Sequence, residues 1–93
     1  MGNQLLELHA TFKGSVQGVG FRVTARHNAM RLGIVGTVRN LADGSVELYA
    51  LGKPQAVKEL LKVLSAPNGA GKVAAVFSEE VLVHHSYADF KII

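Results

Sequence analysis

The nine residues Gly14-Ser15-Val16-Gln17-Gly18-Val19-Gly20-Phe21-Arg22 set a glycine-punctuated stretch directly before an arginine. Such a stretch can hold a phosphate. Glycines let backbone N–H groups turn toward one anion with no Cβ in the way, and an N–H concavity that opens a helix adds the positive end of the helix dipole. Arg22 supplies a planar fork that matches two phosphate oxygens. A second cluster, Gly36-Thr37-Val38-Arg39-Asn40 followed by Asp43-Gly44-Ser45-Val46, places the neutral amide of Asn40 before an Asp-Gly turn. An amide cannot act as a strong base, but its carbonyl oxygen can orient a water while its NH₂ binds another group.

Gly18-Val19-Gly20 alone would read as an ordinary turn. It is not a dinucleotide fingerprint, which wants Gly or Ala where Val23 stands, and no Lys-Ser or Lys-Thr pair follows to make a Walker loop. Other candidates carry less. His84 and His85 would point to opposite faces of a strand, and His9 and His27 have no partner cluster in sequence, so no metal site is expected. Gly69-Ala70-Gly71-Lys72 has Val73 where a Walker loop needs Ser or Thr and Ala66 where it needs its first Gly, which leaves a plain turn. No Gly-x-Ser-x-Gly elbow exists, and Ser78 and Ser86 read as surface residues. Glu79 and Glu80 are adjacent rather than facing, an arrangement unsuited to paired-carboxylate chemistry.

The elements that must position these residues follow from periodicity. Leu6, Leu8, Ala10 and Phe12 alternate with Glu7, His9, Thr11 and Lys13, a half-buried strand running straight into the glycine stretch. From Phe21 the period becomes helical, with Phe21, Ala25, Ala29 and Leu32 on one stripe, Arg22, Arg26, His27 and Arg31 elsewhere, and Gly33 as a left-handed stop. Residues 34–40 and 45–51 read as a hairpin around Leu41-Ala42-Asp43-Gly44, with Val46, Leu48 and Ala50 on one face. Pro54 opens a second helix that buries Val57, Leu60, Leu61 and Leu64 opposite Lys58, Glu59 and Lys62 and stops before Pro67. Ala66 to Lys72 is a loop. Val73 to Val83 reads as a strand, irregular near Ser78-Glu79-Glu80, and Tyr87 to Ile92 as a final edge strand.

The order is β-α-β-β-α-β with a short extra strand, an α+β, ferredoxin-like split β-α-β sandwich: an antiparallel or mixed sheet with two helices on one face. The first and last major strands are expected side by side in the centre, with the loop after the first strand near the end of the second. One domain over residues 1–93 is the expected organisation. The hydrophobic share of 48% is that of a globular chain, not a disordered one. Without cysteine there is neither a disulfide framework nor a thiolate nucleophile. Glu7 and His9 interrupt the early leucines, no apolar run has membrane-spanning length, and Leu6 stands where a myristoylation signal wants Ser or Thr. A cytoplasmic location is the default, and the net charge of +3 favours anionic partners.

With both motifs in register, the sequence closely resembles the acylphosphatase family over nearly its whole length, and Phe90-Lys91-Ile92 looks like that family's Phe-x-Ile end. The resemblance implies hydrolysis of a carboxyl-phosphate mixed anhydride without metal, cofactor or covalent intermediate. It places phosphate binding on Ser15, Val16, Gln17, Gly18, Val19, Gly20 and Arg22, and the water-holding role on Asn40, with Arg22 and Asn40 as the catalytic pair. It further implies a monomer that takes a small acyl phosphate and releases inorganic phosphate, with no nucleic-acid or membrane partner. Two departures bear on the acyl pocket and on support behind the loop: Thr37 stands where a large aromatic is common, and Ala25 where a Thr is often seen. A rival is the accessory phosphate-binding domain of larger hydrogenase-maturation proteins, which often has Pro where Val23 stands. A nucleic-acid module of this fold would need an aromatic platform on its sheet, for which Tyr49 is the one plausible exposed residue.

Overall fold

The computed structural model describes residues 4–66, 71–82 and 86–93; the expectations for Met1-Gly2, Gly69-Ala70 and His84-His85 lie outside them. Seven elements follow one another: β1 (Leu6–Ser15), α1 (Phe21–Arg31), β2 (Val35–Asn40), β3 (Val46–Gly52), α2 (Pro54–Ser65), β4 (Lys72–Val81) and β5 (Phe90–Ile92). The fold is the expected ferredoxin-like α+β arrangement.

The helices bury the stripes that their periodicity indicates. Phe21, Ala25 and Ala29 of α1 and Val57, Leu60 and Leu64 of α2 meet Leu8, Ala10 and Phe12 of β1, Val38 of β2 and Val46, Leu48 and Ala50 of β3 in one core. Leu32 and Leu61 are partly buried at its margin. Gly33 ends α1 with φ 72°, as a left-handed stop requires.

The sheet order is β4-β1-β3-β2-β5. Only the β2–β5 pairing is parallel among the strand pairs described. Since β1 and β2 both run antiparallel to β3, they run parallel to each other and finish at the same end of the sheet. The register makes this concrete: Phe12 and Asn40 both pair with Val46. The loop after β1 and the last residue of β2 therefore share one end of the sheet, as the connectivity predicts.

Four details differ from expectation. The last long strand, β4, does lie beside β1, but at the edge of the sheet, and β3 holds the centre. No residue of β4 is fully buried, whereas five of the seven in β3 are, so β3 is the strand suited to neighbours on both sides. Pairing through Ser78, Glu79 and Glu80 is regular; the break in register falls between Lys13 and Gly14 on β1. Gly14 has φ 130°, and a Cβ there would lie 2.3 Å from the Lys72 carbonyl oxygen, so only glycine allows this bulge to turn the strand into the loop. The final strand begins at Phe90 rather than Tyr87. Finally, Glu7, on the nominally solvated face, is fully buried. The Tyr87 hydroxyl donates to Glu7 Oε2 at 2.9 Å, and burial, followed by the Glu7 carboxylate, pushes the phenol of Tyr87 well above its usual range.

Candidate active site

Two buried anchors hold the ends of the glycine loop. Val16 and Phe21 are each 1% exposed, and the Phe21 ring packs 5.0 Å from that of Phe12, which pins the start of α1 to β1. Between these anchors, Gly18 and Gly20 adopt φ 76° and 80°, and residues 18–20 are exposed. Ser15 still belongs to β1, paired with Lys72, so it borders the loop. Among the described residues, the backbone hydrogen bonds that tie turns and caps together include none donated by an N–H from Val16 to Gly20.

Gly20 caps α1 in the left-handed conformation, without a side-chain cap and with no acidic residue in the first turn. The helix start thus has free N–H groups and uncompensated positive dipole. Arg22 stands on that first turn, half-buried, and forms no ion pair or side-chain hydrogen bond with another described residue. A cation placed where the dipole already repels it, with no carboxylate among the described residues to balance it, leaves a locally unopposed positive field suited to an anion.

Asn40 is the exposed last residue of β2, and its side chain makes no hydrogen bond with another described residue. The turn beyond it is tightly built. Leu41 N–H donates to the Ser45 carbonyl at 2.8 Å, and Asp43 Oδ1 accepts from Ser45 N–H at 2.9 Å. Lys13 Nζ reaches Asp43 Oδ2 at 3.1 Å. The Ser45 hydroxyl, the Ser45 N–H and then Lys13 hold the Asp43 carboxyl down at about 2.

Gln17 connects the two halves. Its Nε2 donates to the Leu41 carbonyl at 2.8 Å and to the Ser45 carbonyl at 2.9 Å, so the side chain of this loop residue faces the hairpin. Residue order puts Gln17 in the loop but shows no partner for its side chain, because acceptors 24 and 28 residues away leave no local signal.

The remaining motif residues lie elsewhere. Thr37 pairs with Tyr49 and Lys91 on the open sheet face, three positions before Asn40 and so about 10 Å along the strand. Ala25 is fully buried in the core. Arg39 Nε donates to Glu47 Oε1 at 2.7 Å. His9 Nε2 lies 2.9 Å from Glu47 Oε2, and its Nδ1 lies 3.6 Å from Glu79. Burial alone would push the Glu47 carboxyl up; hydrogen bonds from His9 and Arg39 overcome this and hold it below its ordinary value. Arg26 of α1 donates to the Phe90 carbonyl at 3.1 Å, a helix-to-edge tie that periodicity did not reveal.

The open face also carries Phe77, 59% exposed, so Tyr49 is not the one exposed aromatic there; Tyr49 is only half-exposed, with the His9 ring 4.6 Å away. With Phe77, Ser78 and Glu79, His9 and Thr11 line a shallow cavity of about 210 Å³, remote from the glycine loop. Among the described residues, no three His, Cys, Asp or Glu side chains come together as a metal site would need, and no helix is long and apolar enough to cross a membrane.

Fold and site together define a ferredoxin-like α+β domain in which a glycine loop followed by Arg22 leaves β1 at the same end of the sheet where β2 ends in the exposed Asn40. A family model for acylphosphatases matches residues 8–92, and the chain belongs to the acylphosphatase family, a family of enzymes. It is 42% identical over 88 residues to an acylphosphatase of Treponema denticola, covering 95% of this chain and 93% of that one. Among solved structures, an acylphosphatase from Coxiella burnetii superimposes with a TM-score of 0.86 at 36% identity, covering 96% of this chain and 93% of that one. One from Bacillus subtilis gives 0.87 at 29% identity, covering 95% and 98%.

Proposed function

We propose that this chain hydrolyses acyl phosphates to a carboxylate and inorganic phosphate, with the loop from Ser15 to Gly20 and Arg22 binding the phosphoryl group and Asn40 orienting the attacking water. The water oxygen bonds to phosphorus, the bond from phosphorus to the acyl oxygen breaks, and the carboxylate leaves with its electron pair. The water proton passes to a phosphoryl oxygen of the substrate, since Asn40 cannot accept it. A carboxylate is a good leaving group, so positioning and charge stabilisation carry most of the catalysis. The observation that supports this reading best is Arg22: a cation without a counter-charge among the described residues, on the first turn of a helix with no side-chain cap, after the loop that leaves β1 at the end of the sheet where β2 ends in Asn40. Residues 1–93 act in this reading as one domain, a cytoplasmic monomer whose partners are the small acyl phosphate and its products.

Hydrolysis of a simple aromatic acyl phosphate in excess chelator tests the proposal directly. Turnover is expected to persist; its absence, with or without added divalent metal, would leave a domain that binds phosphate without cleaving it. Inorganic phosphate, as product, is expected to inhibit competitively and to stabilise the fold. At phosphate ten times its Kd the native state gains about 1.4 kcal/mol by mass action, a rise in Tm of about 6–11 °C for a domain of this size. Chloride at matched ionic strength is the control, and equal shifts would count against a specific cradle.

A further inference from the structure

We propose that Gln17 is a positioning residue that sets the phosphate loop against Asn40, and that its contribution is to kcat rather than to stability alone. The inference rests on the hydrolase reading above. Loop and water-holder come from different elements, and the sheet does not fix their separation by itself. On the side facing β3 and β2, the ladder of β1 ends at the Phe12–Val46 pair. Beyond it the bulge at Gly14 turns the chain out of register, and Ser15 pairs only with β4, on the far side.

Among the described residues, side chains at two positions then link the loop side to the hairpin. Lys13 to Asp43 joins side chains 46% and 57% exposed, where solvent screening leaves an ion pair little strength. Gln17 is the other. It is part-buried, and both hydrogens of its one NH₂ are used: one on the Leu41 carbonyl, directly after Asn40, the other on the Ser45 carbonyl. The Ser45 carbonyl also receives Leu41 N–H, so Gln17 binds both sides of the point where β2 leaves the sheet. Gly18 follows Gln17 in the chain as Leu41 follows Asn40. The bond to the Leu41 carbonyl therefore joins a residue of the loop itself to the neighbour of the water-holder, and the bond to Ser45 holds the opposite arm of the same turn. Only a paired N–H donor does this: a carboxylate there would face two carbonyl oxygens with no proton to offer.

Gln17→Met keeps length and volume and removes the donors; Gln17→Ala removes both. With reacting groups misplaced by as little as 1 Å, losses of up to about 10²-fold arise, and kcat of Gln17→Met is expected to fall about 10-fold or more at temperatures well below its Tm. The Kd for inorganic phosphate, measured on the same variant, should change by less than about 3-fold, because the glycines and Arg22 remain in place. In the Asn40→Ala background the further loss from Gln17→Met should nearly vanish, as groups acting through one another are not additive. A folded Gln17→Met with wild-type kcat overturns the role, as do losses that multiply fully with Asn40→Ala or a phosphate Kd that worsens in step with kcat. If Gln17→Met is unfolded, the same three measurements on Gln17→Ala decide, and failure of both variants to fold assigns Gln17 to stability and overturns the role. A wild-type chain inactive on acyl phosphates overturns the functional reading; an active wild type with an unimpaired Gln17 variant overturns this inference alone.

Discussion

Arg22→Ala is expected to lower kcat/KM by about 10³-fold or more, the scale on which a phosphoryl-clamping arginine acts, while leaving Tm without phosphate unchanged or slightly raised. The second half of that expectation follows from where Arg22 stands. It is half-buried on the first turn of α1, with no partner among the described residues and no acidic neighbour in that turn. A cation near a helix N-terminus opposes the helix dipole by about 0.3–1 kcal/mol, so truncation removes a local repulsion and breaks no described hydrogen bond or ion pair. Arg22→Lys keeps the charge and loses the fork, and should recover only part of the rate. Activity, Tm and phosphate-induced stabilisation measured on both variants separate the possibilities. A folded Arg22→Ala near wild-type kcat/KM would remove Arg22 from the site, and a marked drop in Tm would show that it supports the fold instead.

The same placement explains how much of the site could be read from residue order. Local patterns were legible: alternation through Leu8, Ala10 and Phe12 fixed which face of β1 meets the helices, and the stripe of Phe21, Ala25 and Ala29 fixed the face of α1 and hence the side on which Arg22 emerges. The Asp43-Gly44 turn and the left-handed Gly33 were legible for the same reason, since each is decided within a few residues. What escaped depends on partners distant in sequence. Glu7 follows the polar half of the alternation, yet it is buried, and the hydroxyl that donates to it belongs to Tyr87, 80 residues on. The Gln17 side chain meets carbonyls of the hairpin, and Phe77 is left exposed on an edge strand that alternation could not place at the edge. Gly14 did carry a signal for the bulge: a glycine ending a strand of otherwise regular alternation marks close backbone approach.

Asn40→Ala is expected to lower kcat by about 10²-fold or more, comparable with losing one well-placed polar group at a reacting centre, with phosphate affinity little changed. The split follows from the arrangement proposed above. Asn40 ends β2 at the shared end of the sheet, outside the loop whose amides and arginine would grip the phosphate. Asn40→Asp should be at least as damaging, because it exchanges the NH₂ donor for a negative charge beside an anionic substrate. A purely structural Asn40 would behave in the opposite way. Its side chain is exposed and forms no hydrogen bond with another described residue, while Asp43 and Ser45 hold the turn through their own bonds. Stability therefore has little to lose at this position, and a Tm within a few degrees of wild type is expected for both variants. Measuring kcat, the phosphate Kd and Tm on the same two proteins decides the matter. Preserved kcat in a folded Asn40→Ala would leave the hydrolase without its water-holder, and phosphate affinity falling as far as kcat would place Asn40 in the cradle instead.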